Sequence, residues 1–257
     1  MLTELRYAIR SLVRSAHYSG ACLLTLTLAL VGTTTLVNLL DALVFRALPV
    51  RAPHQLVGLV PIVDKTAAGF TPAAFQVLSR RQEALSDFCG VTTGYGTLAV
   101  QTDSGAIRPR GYEAVTGPCY ELLGIVPAIG RLITSSDAPL TGDSERVVVI
   151  SNRMWHEEFA SSPDVVGRTL FVEGAPLSII GVFPHTYRGL SLDMMPDIAL
   201  PLPLTWKLDL LPPLVMQAVG RARPELGIRG SSAHLRTIWP EVFKESLASG
   251  AHRPFRS

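Results

Sequence analysis

Between Arg14 and Asp41 the chain carries no formally charged side chain for 26 residues, and within that run Gly20 to Leu40 reads GACLLTLTLALVGTTTLVNLL. A helix of this length, at 1.5 Å rise per residue, covers the roughly 30 Å of hydrocarbon in a bilayer. The densest apolar part, Ala21 to Val31, is shorter, and Thr33, Thr34, Thr35 and Asn38 dilute the second half. A cleaved secretory signal competes for the same residues, but it needs a hydrophobic region of about 7 to 15 residues and then a small-x-small cleavage site. Here the apolar pattern continues through Leu39, Leu40, Leu43, Val44 and Phe45, which favours a retained transmembrane helix over residues 19–41.

Orientation follows from the basic residues at the two ends. Arg6, Arg10 and Arg14 precede the span, and Arg46 and Arg51 follow it. With a short leader and a long C-terminal portion, this bias predicts a single-pass inner (plasma) membrane protein with a cytoplasmic N-terminus and a periplasmic main domain. In the leader, residues 1–18, Leu2, Leu5, Ile9, Leu12 and Val13 share one helical face opposite the arginines. That pattern suits an amphipathic helix lying on the lipid bilayer, or simply a basic flank that sets topology. The net charge of +2 is spread along the chain without a basic run, so there is no electrostatic footprint for nucleic acid.

Pro49 and Pro53 cannot continue a helix, which makes residues 42–54 an extended connector. The folded domain is expected over 55–240, with 241–257 a polar tail. Leu56 to Val63 reads as a strand that Pro61 pushes to a sheet edge. Thr71-Pro72 supplies an N-cap and a first-turn proline for a helix carrying Phe75 and Leu78. Alternation over Val91 to Val100 and Ile107 to Val115 predicts two strands. Gly117-Pro118 opens a short helix that Gly124 ends in the left-handed conformation. Val147 to Ile150 is a β-branched run, and Ser151 caps the helix of Trp155 and Phe159. Glu173-Gly174 turns a hairpin between Leu170–Val172 and Leu177–Val182. A strand over Ile198 to Leu202, a proline-rich loop over Leu210 to Leu214, a strand over Leu214 to Gly220 and a helix over 228–239 complete the domain. Strands and helices mix without a βαβ rhythm, so the class is α+β. Cys22 lies in the span; Cys89 and Cys119 are expected as separate buried thiols, with a disulfide as the alternative if the domain faces an oxidising space.

No motif in the chain organises catalysis. The three lysines, Lys65, Lys207 and Lys244, do not follow a glycine as a phosphate-binding loop requires. Gly94-x-Gly96-x-x-Ala99 matches a dinucleotide fingerprint only formally, because Thr97 to Thr102 alternates like a strand. His156-Glu157-Glu158 has Ala160 where a zinc-protease helix needs its second histidine. Gly189-Leu-Ser191-Leu-Asp193 lacks the second glycine of a nucleophile elbow. His185, Asp193 and Asp197 lie in a proline-rich stretch where solvated loop residues are the better account than a metal site. A periplasmic hydrolase using Ser191 or His185 remains a third reading. No catalytic, cofactor-binding or metal residue is assigned, no cofactor is expected, and the chain is read as a non-enzyme.

Three blocks resemble a known family. The leader Glu4-Leu-Arg-Tyr-Ala-Ile-Arg-Ser-Leu-Val-Arg14, the apolar span and Asp41-Ala-Leu-Val-Phe-Arg-Ala-Leu-Pro49 are similar to the start of MacB/FtsX-type ABC transporter permeases, particularly the duplicated orphan permeases of acidobacteria. Gly117 to Arg131 is similar to that family's F-x-x-L-G-V-x-P-x-x-G-R segment. Val148-Val-Ile-Ser-Asn-Arg-Met-Trp155, Val166-Gly-Arg-Thr-Leu170, Ile180-Gly-Val-Phe-Pro184 and Val219-Gly-Arg-Ala222 extend the resemblance over nearly all of residues 1 to 240. The resemblance implies a MacB-like periplasmic core domain with an α+β part and an inserted β-rich subdomain. It implies transmembrane transport, efflux or mechanotransmission, with an ATP-binding subunit in trans, other permease helices or copies, and a periplasmic adaptor or exported substrate as partners. A complete permease of this type carries further transmembrane helices after the core domain, and 241–257 contains no apolar span. The chain is therefore expected to be a truncated permease, a fragment of a split gene or a stand-alone anchored domain, with a vestigial structural protein as the alternative function.

Overall fold

Twenty-five residues, Ala16–Leu40, form one continuous helix, α1. The computed structural model describes residues 16–40, 52–63, 66–67, 69–102, 105–139, 144–190, 195–208 and 216–248, so the leader to residue 15 and most of the connector lie outside the described residues. Met1–Pro49 and Val50–Ser257 form two compact units. In α1 the side chains of Leu23, Leu24, Leu26, Leu28, Leu30, Val31, Leu36 and Val37 are exposed and belong to no single stripe. The threonine hydroxyls turn back to their own helix: Thr33 donates to the Ala29 carbonyl, Thr34 to that of Leu30 and Thr35 to that of Val31, each at 2.7 Å. Among the described residues no helix is long and apolar enough to cross a membrane.

The second unit is built on a nine-stranded sheet. Its strands are β1 (Leu56–Leu59), β4 (Leu85–Gln101), β5 (Ile107–Thr116), β6 (Ile129–Gly130), β7 (Val147–Ile150), β8 (Thr169–Val172), β9 (Ala175–Val182), β10 (Ile198–Pro201) and β11 (Gln217–Ala222), while β2 (Ile62–Val63) and β3 (Thr66–Ala67) make a separate hairpin. Helices α2 (Pro72–Arg81), α3 (Cys119–Leu123), α4 (Asn152–Phe159), α5 (Leu202–Lys207) and α6 (Gly227–Ala248) complete it. The ladder runs β1-β11-β4-β5-β10-β7-β9-β6, with β5 parallel to β10 and β7 parallel to β9.

A further pairing closes part of this sheet on itself. At its C-terminal end β4 pairs with β8, Val100 opposite Val172, and β8 pairs in turn with β9. The Glu173 backbone reinforces the seam by donating to the Ala99 carbonyl at 2.8 Å. Strands β4, β5, β10, β7, β9 and β8 therefore form a six-membered ring of ladders. Alternate residues of these strands, among them Leu98, Val148, Leu170, Ile179, Ile198 and Leu200, belong to one buried core that continues under α2 and α6. Val91, Val115, Val149 and Ala199, on the opposite face, join Tyr120, Ile133 and Phe183 in a second core. All four β7 residues are buried because both faces are covered.

The inserted β-rich subdomain that the resemblance implies is not set apart as a compact unit of its own: the strands of the second unit other than β2 and β3 are hydrogen-bonded into this one sheet. Two other expectations change. The strand expected over Leu56 to Val63 is broken at Val60-Pro61, where proline cannot donate to a ladder, and Ile62 and Val63 pair instead with β3. The last helix does not stop near 239. It continues through Pro240 to Ala248, burying Val242 and Ser246, while Arg81 of α2 pairs with Glu241 at 3.0 Å and Glu245 at 2.6 Å. Packing on α2 outweighs the lost backbone bond at Pro240, so residues 241–248 of the expected polar tail belong to the fold.

Candidate functional site

Three acidic residues are buried among the described residues: Glu113, Asp137 and Asp197. How each is neutralised separates structural ion pairs from a less ordinary group.

Asp137 is held in a fork by Arg131, whose two terminal nitrogens reach its oxygens at 2.5 and 2.8 Å, and it also accepts from the backbone and hydroxyl of Thr134. Burial pushes the Asp137 pKa up, but the hydrogen bonds from Arg131 and Thr134 outweigh it and the net shift is downward. This accounts for the Gly130-Arg131 pair. A Cβ at Gly130 would lie 2.3 Å from the Ile180 carbonyl, and one at Gly181 would lie 2.1 Å from the Arg131 carbonyl. Only glycines let β6 and β9 approach closely enough to place Arg131.

Asp197 accepts from Arg153 at 2.7 Å and lies 3.7 Å from Arg110. The Arg110 guanidinium also pairs with Glu158 and reaches Glu157 at 3.5 Å, while Arg108 reaches Glu158 at 3.3 Å. Three arginines thus meet three carboxylates between β5, α4 and the start of β10.

Glu113, from the middle of β5, has no cation among its partners in the described residues. Its Oε1 accepts from the Tyr120 hydroxyl at 2.8 Å and the Tyr187 hydroxyl at 2.6 Å, and its Oε2 from the Leu190 backbone at 3.2 Å. Tyr187 stacks on Phe183 with ring centroids 4.1 Å apart, and Tyr120 meets both rings edge-on. Burial raises the Glu113 pKa, and the bonds from Tyr187, Tyr120 and Leu190 only partly offset this. Burial, then the nearby Glu113, raises the pKa of both tyrosines. The carboxyl thereby fastens the 183–190 segment and α3 to β5.

A raised folded-state pKa means that the folded chain holds this proton more tightly than the unfolded chain. The stabilisation is complete below the unfolded value near 4.3 and is lost as pH rises through the folded value. Denaturation of the full chain in detergent from pH 4 to 8 should show stability falling with pH in the wild type. In Glu113→Gln that component of the slope should disappear. Equal slopes in the two proteins would show that Glu113 titrates normally.

Cys89 of β4 and Cys119 at the start of α3 form a disulfide, where the sequence favoured two separate thiols. Their backbones lie 5.2 Å apart because β4 and α3 pack side by side, an approach that a spacing of 30 residues does not reveal. His156 of the His156-Glu157-Glu158 run bonds the Ser161 hydroxyl, and its two acids face Arg110. Gly96 and Ala99 lie inside β4. His185 is exposed and lines a small cleft with Tyr187 and Arg188, Asp197 is engaged by arginine, and Ser191 and Asp193 lie outside the described residues. The structure does not bring the proposed hydrolytic or metal-binding residues together among the described residues. Glu113 and Arg110 were missed, although charged residues at 108, 110 and 113 within the strand read over Ile107 to Val115 were a usable signal.

An apolar groove of about 410 Å³ lies between β1 and α6, walled by Val57, Leu59, Phe70, Leu235 and Trp239.

Residues 19–227 match the family described as the MacB-like periplasmic core domain. No curated protein matches the chain. Among solved structures, the extracellular domain of the noncanonic ABC-type transporter YknZ from Gram-positive bacteria is similar, with a TM-score of 0.54 at 12% identity over 74% of this chain and 95% of that one. The periplasmic region of MacB from Actinobacillus actinomycetemcomitans has a TM-score of 0.55 at 13% identity over 78% and 94%. A domain of a putative permease protein from Porphyromonas gingivalis has a TM-score of 0.51 at 16% identity over 74% and 78%. At these identities the structures establish a shared fold, and the family match covers most of the sequence. The chain belongs to the family of MacB-like periplasmic core domains found in ABC-type transporter permeases.

Proposed function

We propose that this chain is the extracytoplasmic core of a MacB/FtsX-type permease, held in the membrane by α1, which couples to ATP hydrolysis in a separate subunit and engages a partner protein or exported substrate. The family match over residues 19–227 carries this reading. The back-bonded threonines and exposed leucines of α1 suit a hydrocarbon surrounding, and the proposed anchor includes the apolar sequence that continues beyond it through Leu43, Val44 and Phe45, since the described helix by itself does not make a full span. The Cys89–Cys119 disulfide supports an oxidising compartment for the domain.

The test is sidedness and company. The chain is expected to stay with membranes through an alkaline carbonate wash, a C-terminal tag to be cut by protease added outside spheroplasts, and an ATP-binding subunit to co-purify in mild detergent. Release by the wash, or a tag cut only after lysis, defeats the anchored topology. Correct sidedness without any ATP-binding subunit defeats the transporter role.

A further inference from the structure

We infer that Arg221 is a clamp that fixes the first turn of the domain to both the sheet and α3, so that displacement of the chain arriving at Ala52 is carried into the two together. Its role as a relay rests on the permease reading above, in which that turn follows the membrane helix along the chain; the clamp itself does not.

Arg221 stands on β11 opposite Leu56 of β1, at the point where the β11–β4 register shifts: Arg221 faces Asp87, Ala222 faces Leu85, and Ser86 is the extra residue. A bulge of this kind re-aims the neighbouring side chain. One terminal nitrogen of Arg221 donates to the Ala52 carbonyl at 3.2 Å and to Gln55 Oε1 at 3.4 Å, and the other donates to the Leu122 carbonyl at 2.5 Å. The two backbone acceptors differ. The Ala52 carbonyl already accepts from the Gln55 amide at 3.0 Å, which closes the turn, and Ala52 has a φ of +46°, a conformation that alanine keeps only when its surroundings hold it. The Leu122 carbonyl is in the last turn of α3, where helix carbonyls outrun their intrahelical donors and a cation is favoured.

The turn and α3 border a cleft of about 430 Å³ lined by Ala52, Gln55, Asp87, Glu121, Leu122 and Arg221. A rigid planar fork can serve acceptors on both sides of such a cleft, and a lysine ammonium cannot reproduce that geometry. Because α3 begins at Cys119, which is bonded to Cys89, the clamp adds the 52–55 turn to a unit already made of β11, α3 and β4.

Hydrogen exchange on the full chain in detergent tests this directly. Arg221→Ala is expected to speed amide exchange about ten-fold or more in both Gln55–Leu59 and Tyr120–Ile125, with β7 and β9 unchanged. Arg221→Lys should leave at least one of the two segments fast. Gln55→Ala, which leaves β11 intact and serves if the Arg221 variants do not fold, should loosen Gln55–Leu59 while Tyr120–Ile125 stays protected. Loosening of only one segment in Arg221→Ala, uniform loosening of the whole domain, or unchanged protection in Gln55→Ala would overturn the clamp. These outcomes do not depend on membrane sidedness, so a failed topology experiment leaves the clamp standing and a failed clamp leaves the topology standing.

Discussion

Replacing Cys89 and Cys119 together with alanine is expected to lower the unfolding free energy by about 3 to 4 kcal/mol, the loop-closure value for a crosslink spanning 30 residues. For a domain of this size that corresponds to a fall in Tm on the order of 10 °C. Both sulfurs are buried, so the variant also leaves a small void beside Tyr120 and Val91. Thermal denaturation of the full chain with and without reductant measures the effect: wild type under reductant should approach the double variant, and the variant should not respond. A wild type indifferent to reductant, with both thiols alkylated before reduction, would mean that the bond does not form.

Arg110→Ala should cost about as much, roughly 3 kcal/mol, because it leaves the carboxylates of Glu158 and Asp197, which solvent barely reaches, short of their shared cation. The side chains of Arg110, Glu158 and Asp197 are 9%, 8% and 6% exposed, so solvent cannot take the place of the lost guanidinium. Arg108, which reaches the same Glu158 from a side chain 61% exposed, is the internal control: Arg108→Ala should change stability by less than about 1 kcal/mol. Urea denaturation midpoints of the two variants decide the matter. Equal small losses would show that Arg153 and Arg108 between them suffice for the acids.

What could be read from the sequence was local. Thr71 and Ser151 cap α2 and α4 by accepting from amides three residues on, at 3.2 and 3.0 Å, as the patterns Thr-Pro and Ser-Asn indicated. Gly124 takes the left-handed conformation at the end of α3, and Glu173-Gly174 turns the β8–β9 hairpin with both residues at positive φ. Each of these is a decision made within a few residues. The features that escaped depend on distant partners. Arg110 meets Glu158 across 48 positions, Glu113 meets Tyr187 across 74, and Arg81 meets Glu241 across 160. The continuation of α6 through Pro240 follows from packing on α2, which a helix-breaking residue read by itself conceals. Resemblance to a family located Gly130-Arg131 and Gly181, and the structure supplies their physical cause in the close passage of β6 against β9.

The pairing of β4 with β8 changes how the domain can come apart. An open sheet frays from its outermost strand, one ladder at a time, each loss making the next easier. A cycle of six ladders has no outermost member, so releasing any strand from it requires at least two seams to part at once; of the three strands off the cycle, β1, β11 and β6, only the outermost, β1 and β6, can peel away singly. Mechanical load reaching the domain would therefore meet a hoop rather than a zipper.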